Sequence, residues 1–229
     1  MYLFSYNVAA KEMTDDIDFT LKNASGETVY TESISVRKIA LSYLSDSSTY
    51  DKEIPLIKAM LNYGAYAQEY FGYRTDDPAN AGYEDATIDT IIADDLKSYE
   101  YNAGEASHLP EGVAFTSVYL SMETEMRLNM VVENNTGKEL TFSVPEGYSV
   151  KTSGSGERVT VSVTGIKAEN IGDKIEVTVS CDETSGYQMY SPLTYAYNRI
   201  RDKDREAGIS KAMYRYYTEA KSYAATKSE

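Results

Sequence analysis

Tryptophan is absent from the chain, histidine and cysteine occur once each, and proline occurs five times in 229 residues. Each scarcity excludes something. With His108 as the single histidine, Ser-His-Asp and Cys-His arrangements and His-based metal sites have almost no material. His108 lies in EASHLPEG, a Pro/Gly loop, and reads as solvated. Cys181 alone excludes an internal disulfide and a thiolate cluster. It alternates with Val179 at the end of a strand pattern and reads as a small buried residue. No apolar run approaches the roughly 18 residues of a membrane span, so no membrane insertion is expected. Basic residues are also few: Lys and Arg total 22 against 36 Asp and Glu, a net charge of −14 without a basic cluster. That balance excludes binding to the nucleic-acid phosphate backbone and disfavours anionic membranes.

Carboxylates are abundant, but their spacing is not that of a site. Asp15/Asp16, Asp76/Asp77, Asp94/Asp95 and DKDRE (202–206) are sequence neighbours in turns, where solvation explains them. Glycoside hydrolysis needs two carboxyls facing each other across a cleft. DKDREAG departs from a calcium loop, because glycine falls at its seventh position and Met213 stands where a bidentate Glu belongs. GSG (154–156) lies between strand patterns and reads as a hairpin rather than a phosphate loop. No catalytic residue, metal site or cofactor is expected.

What is present is a pattern that recurs. DDIDFTL (15–21) and DKIEVTV (173–179) alternate as half-buried strands do. Polar turns follow, NASGE (23–27) and DETSG (182–186), then second strands in VYTESISV and YQMYS. VRKIALSYL and PLTYAYNRI read as short helices, with Pro192 suited to a first helical turn. Each pattern closes on a longer helix, KAMLNYGAYAQEY (58–70) or KAMYRYYTEAKSY (211–223), identical at Lys58/Lys211, Ala59/Ala212, Met60/Met213, Tyr63/Tyr216, Ala67/Ala220 and Tyr70/Tyr223. Upstream, VAAKEM (8–13) matches IKAENI (166–171). The expectation is an internal duplication.

The copies are unequal. Before its hairpin the second has further strand patterns: AFTSVYLSM (114–122), MRLNMVVE (126–133), LTFSV (140–144) and RVTVSVTG (158–165). The first has only LFSYNV. The fold class expected is therefore α+β: tandem Ig-like or β-sandwich modules, each followed by a helical hairpin, the first truncated. The divisions are 1–83 (partial repeat), 84–112 (linker and first strand region) and 113–229 (second repeat). Residues 72–95, rich in acid, Gly and Ala, read as linker, with TIDTII apolar enough for a short docked helix. The first repeat is expected to lean on the second, since a partial sheet does not bury both faces; its open edge is also a place where a second chain can pair.

The string from SISVRKIALSYL through KAMLNYGAYAQEYFGYRTDDPANAG, with YSPLTYAYNRI and KAMYRYYTEAKSYA in the second copy, resembles a repeat of large surface proteins from gut clostridia (Firmicutes). The resemblance covers residues 8–83 and 113–225. It implies a non-catalytic extracellular or cell-surface unit, part of a larger exported protein; relatives engage glycans or host proteins, including immunoglobulins. It carries over no site residue. The start, MYLFSYNVAAK, is shorter than a secretory signal and lacks its basic flank.

The 22 tyrosines need a reason. On the first long helix Ile57, Met60, Leu61, Gly64, Ala67 and Phe71 form a core stripe, while Tyr63, Tyr66, Tyr70 and Tyr73 fall on a second stripe. A tyrosine ring with a polar tip suits sugar stacking or a protein contact, so these four are the candidate ligand-binding residues. The other reading packs the stripe on the second repeat. Tyr187, Tyr190, Tyr195 and Tyr197 read as packing. Three functions remain open: a binding or adhesion module for a glycan or host protein, an immunoglobulin-binding module, and a structural spacer. An enzyme is not expected.

Overall fold

A computed structural model describes residues 6–46 and 48–227. The fold is α+β, with all strand pairs antiparallel. A 3₁₀ turn, Ala10–Glu12, precedes strands β1 (Ile17–Lys22) and β2 (Thr28–Ile34), then helices α1 (Val36–Ser45) and α2 (Ile54–Phe71). The same order returns at the other end of the chain. A 3₁₀ turn, Ala168–Asn170, precedes β8 (Ile175–Cys181) and β9 (Thr184–Tyr190), then α3 (Pro192–Arg201) and α4 (Ala207–Thr226). Between them run β3 (Val113–Met122), β4 (Met126–Asn134), β5 (Thr141–Ser143), β6 (Ser149–Ser155) and β7 (Arg158–Thr164).

Local chemistry matches in the two ends. Ser35 caps α1 by accepting the Lys38 N–H, and Ser191 caps α3 by accepting the Thr194 N–H. The Arg37 N–H donates to the Met13 carbonyl, and the Leu193 N–H donates to the Ile171 carbonyl. Pro192 stands in the first turn of α3, as its missing N–H allows. The hairpin turn after β1 is held by the Asn23 carboxamide, which accepts from the Ser25 and Glu27 N–H groups, with Gly26 at φ +82°.

Strands β3-β4-β7-β6 form one sheet and β5-β8-β9 another. Their inner faces meet through Leu128, Met130, Val132, Val161 and Val163 on one side and Ile175, Val177 and Val179 on the other. Alternation along β8 is complete: every second residue from Ile175 to Cys181 is buried. Gly156 and Glu157 make the two-residue β6–β7 turn, so that of the GSG stretch only its last glycine is in the turn and Gly154 and Ser155 end β6. Strand β6 itself is not expected from the sequence. Of LFSYNV, residues 3–5 lie outside the described residues, and Tyr6–Val8 carry no strand.

A second core joins the two ends of the chain. Helices α2 and α4 pack along their lengths, burying Leu61, Tyr63 and Ala67 with Ile209, Ala212, Met213 and Tyr217. α2 passes so close to the Ala10–Glu12 turn that a Cβ on Gly64 would come within 2.7 Å of the Met13 sulfur; glycine permits that approach. Within residues 72–112 the 3₁₀ turns Ile88–Thr90 and Ala93–Tyr99 dock on this core, with Ile88, Ile91 and Leu96 buried, while Ala103–Glu105 lies against β9. The N-terminal elements thus meet the C-terminal ones through their helices. The β1–β2 sheet is exposed on both faces.

Candidate functional site

The four candidate tyrosines do not form one exposed platform. Tyr63 is 6% exposed and stacks on Tyr216 of α4, ring centroids 5.7 Å apart and nearly parallel. Burial pushes its phenol pKa up, so it stays neutral. Tyr73 lies just past Gly72, which ends α2 in the left-handed conformation; its hydroxyl donates to Asp15 and Lys11 sits over its ring. Helix geometry alone places these residues on one stripe; their neighbours separate them. Phe71, expected in the core stripe, is exposed and meets Tyr70 edge-on.

Tyr66 and Tyr70, one helical turn apart, do come together. They line an open groove between α2 and the start of α4, with Glu69, Asp89, Arg205 and Gly208. On the far side of Tyr66 the surface continues into a second groove of about 500 Å³, lined by Asn62, Glu69, Thr75, Asn80, Glu84, Asp85 and Asp89 among others. The Tyr66 hydroxyl donates to Asp89 at 2.7 Å. Partial burial, and then that hydrogen bond, push its phenol pKa up. The Tyr70 hydroxyl donates to Glu206 at 2.9 Å and accepts from Arg205 at 3.0 Å, with the guanidinium 5.0 Å from the ring centroid. Glu206 also accepts from Tyr195, tying α2 to α3. The Gly82 N–H donates to Glu84 and lowers its carboxyl pKa, keeping it ionised.

The groove wall rests on two side chains that sequence reasoning passed over. Asn62 and Gln68 are buried on an otherwise apolar face of α2. Asn62 donates to the Lys58 and Tyr83 carbonyls and accepts from Asn80 and the Asp85 N–H. Gln68 donates to Thr14 and the Asp77 carbonyl and accepts from the Ala79 N–H. All the hydrogen-bonding capacity of Asn62 is used, so it pins residues 80–85 against the helix. Its signal in the sequence was a carboxamide one residue from Leu61 and Tyr63 in a core helix.

The acidic pairs are mostly engaged with bases: Asp15 and Asp77 with Arg74, Asp77 with Arg37, Asp16 with Lys38, and Asp202 with Arg201. Among the described residues no group of three or more His, Cys, Asp or Glu side chains is placed to hold a metal, and no helix is long and apolar enough to cross a membrane. His108 is exposed in its loop and Cys181 is buried. Tyr190, Tyr195 and Tyr197 are buried, while Tyr187 is half-buried. No protein-family model matches the chain, and neither a curated protein nor a solved structure matches it.

In chemical terms the groove offers two tyrosine side chains, one with a guanidinium over its ring, and a row of carboxylates and carboxamides. Carboxylates accept from hydroxyl groups in pairs, and aromatic faces take the C–H side of a ring. The composition suits a neutral polyhydroxylated ligand and opposes a polyanion.

Proposed function

We propose that the chain is a non-catalytic, exported surface module of two tandem repeats, the second Ig-like, that binds a neutral glycan in the Tyr66–Tyr70 groove. The observation that carries the reading is that Tyr66 and Tyr70 flank one open groove whose remaining polar lining includes the carboxylates of Glu69 and Asp89. The recurrence of element order and capping at the two ends supports the tandem-repeat part. The experiment is affinity electrophoresis in native gels cast with neutral soluble polysaccharides or mucin, running the natural chain beside Tyr66→Ala. Retardation of the natural chain alone is expected.

A structural spacer is the second reading, favoured by a specific contact. The Tyr63–Tyr216 stack and the Tyr70–Glu206–Tyr195 bridge use tyrosine to join the two units stiffly. If neither protein is slowed in any gel, the glycan proposal gives way to this one, and immunoglobulin and other host proteins become the next probes; equal retardation of both would move the glycan site away from Tyr66.

A further inference from the structure

Hairpin β1–β2 carries apolar side chains in water. Phe19, Leu21, Val29 and Tyr30 are all exposed, and among the described residues neither strand pairs with anything but the other. The corresponding hairpin β8–β9 has both edges occupied: β5 pairs with β8, and Ala106–Ser107 bonds to β9 at Tyr187 and Gln188. A strand edge with free N–H and C=O groups and no proline is a template for another strand.

We propose that β1 pairs antiparallel with β1 of a second copy of this chain, about a two-fold axis through Thr20. The sequence IDFTLK sets the register. With Thr20 facing its own counterpart, Asp18 stands opposite Lys22 of the partner copy, and Phe19 opposite Leu21. Directly opposed residues of an antiparallel pair share a face. One face of the joined sheet therefore carries two Asp–Lys pairs around a Thr pair, and the other carries two Phe–Leu pairs.

Other registers lose this match. An axis through Phe19 sets Asp18 opposite Thr20, one through Leu21 sets Phe19 opposite Asn23, and a half-step sets Phe19 opposite Thr20. The β2 edge offers no equivalent, because Thr28–Ile34 contains no basic residue to face Glu32. The pairing is isologous and closes at two copies. Asp18, Thr20 and Lys22 are all exposed, so the axis is open to a second chain.

Sedimentation equilibrium of the full chain over a concentration series is the test. The weight-average mass is expected to rise from 25.5 kDa toward twice that value. Lys22→Asp puts Asp opposite Asp18 twice, and Asp18→Lys puts Lys opposite Lys22 twice; each weakens self-association roughly tenfold. Mixing the two variants restores it, since each now supplies the charge that the other opposes. Unchanged thermal melts would show that both variants fold. A chain that stays at 25.5 kDa up to about 1 mM overturns the proposal. So does a dimer indifferent to both reversals, or a mixture that associates no better than either variant alone.

Discussion

Phe19 and Val177 occupy the same place in two similar strands, Phe19 in IDFTLK and Val177 in IEVTVSC, yet Phe19 is 41% exposed and Val177 is 0% exposed. Leu21 and Val179 repeat the contrast, at 55% and 0%. The alternation that makes a strand amphipathic is present in both. Only β8 has a second sheet across from its apolar face. A strand pattern therefore specifies which side chains share a face, while the rest of the fold decides whether that face is dry.

The sharpest way to break this comparison is to place one charge at each equivalent position. Val177→Asp buries an unpaired carboxylate and is expected to cost upward of about 4 kcal/mol in urea unfolding. Phe19→Asp, in water already, is expected to change stability by less than about 0.5 kcal/mol. Equal losses would mean that the hairpin is covered in solution.

Next in size is the body that both ends share. Leu61→Ala removes a fully buried side chain from the α2–α4 core and is expected to cost about 3 kcal/mol by the same measurement. Asn62→Ala should cost less, about 2 kcal/mol, by stranding the Tyr83 carbonyl and the Asp85 N–H. Hydrogen exchange should then quicken in residues 80–85 and stay unchanged in β1–β2.

Alkaline pH separates the two regions by mechanism. Burial, then the Tyr217 hydroxyl, push the Tyr99 phenol pKa to about 12, and burial raises those of Tyr63 and Tyr195. In the unfolded chain these groups titrate near 10. The folded chain thus holds more protons between pH 10 and 12, so stability is intact below pH 10 and declines as pH rises through that window. The pKa of Tyr30 on the hairpin is raised first by its hydrogen bond to Glu32. Its ionisation is expected to leave the body folded, a difference that pH-dependent melts and tyrosine NMR would register. Tyr66→Ala is expected to cost less than about 1 kcal/mol and bears instead on binding.

The same contrast explains what was legible in the sequence. Strands β3, β4, β7, β8 and β9 and all four helices carry the period of their structure, and Pro192 and the GSG turn mark their local geometry. Strand β6 was hidden because Lys151, Thr152 and Ser153 of an exposed edge show no apolar alternation. Residues 72–95 read as linker with TIDTII as a short docked helix, and there Ile88 and Ile91 are indeed buried; Leu96, just beyond, is buried too but stands too isolated to set a period. For the candidate site, helical angles placed Tyr66 and Tyr70 correctly on one side. They left open whether the stripe packs on the second helical pair, as Tyr63 does against α4, and gave no sign that Asn62 and Gln68 build the groove wall, because those facts depend on contacts distant in sequence.

Cys181 ends β8 as the only thiol in the chain, and it is buried at a position paired with Thr184. Its burial makes it a built-in clock. A thiol reagent in solution reaches sulfur only when that end of the sandwich opens, so the labelling rate counts openings without any added probe. With a single sulfhydryl, every labelled molecule reports the same event.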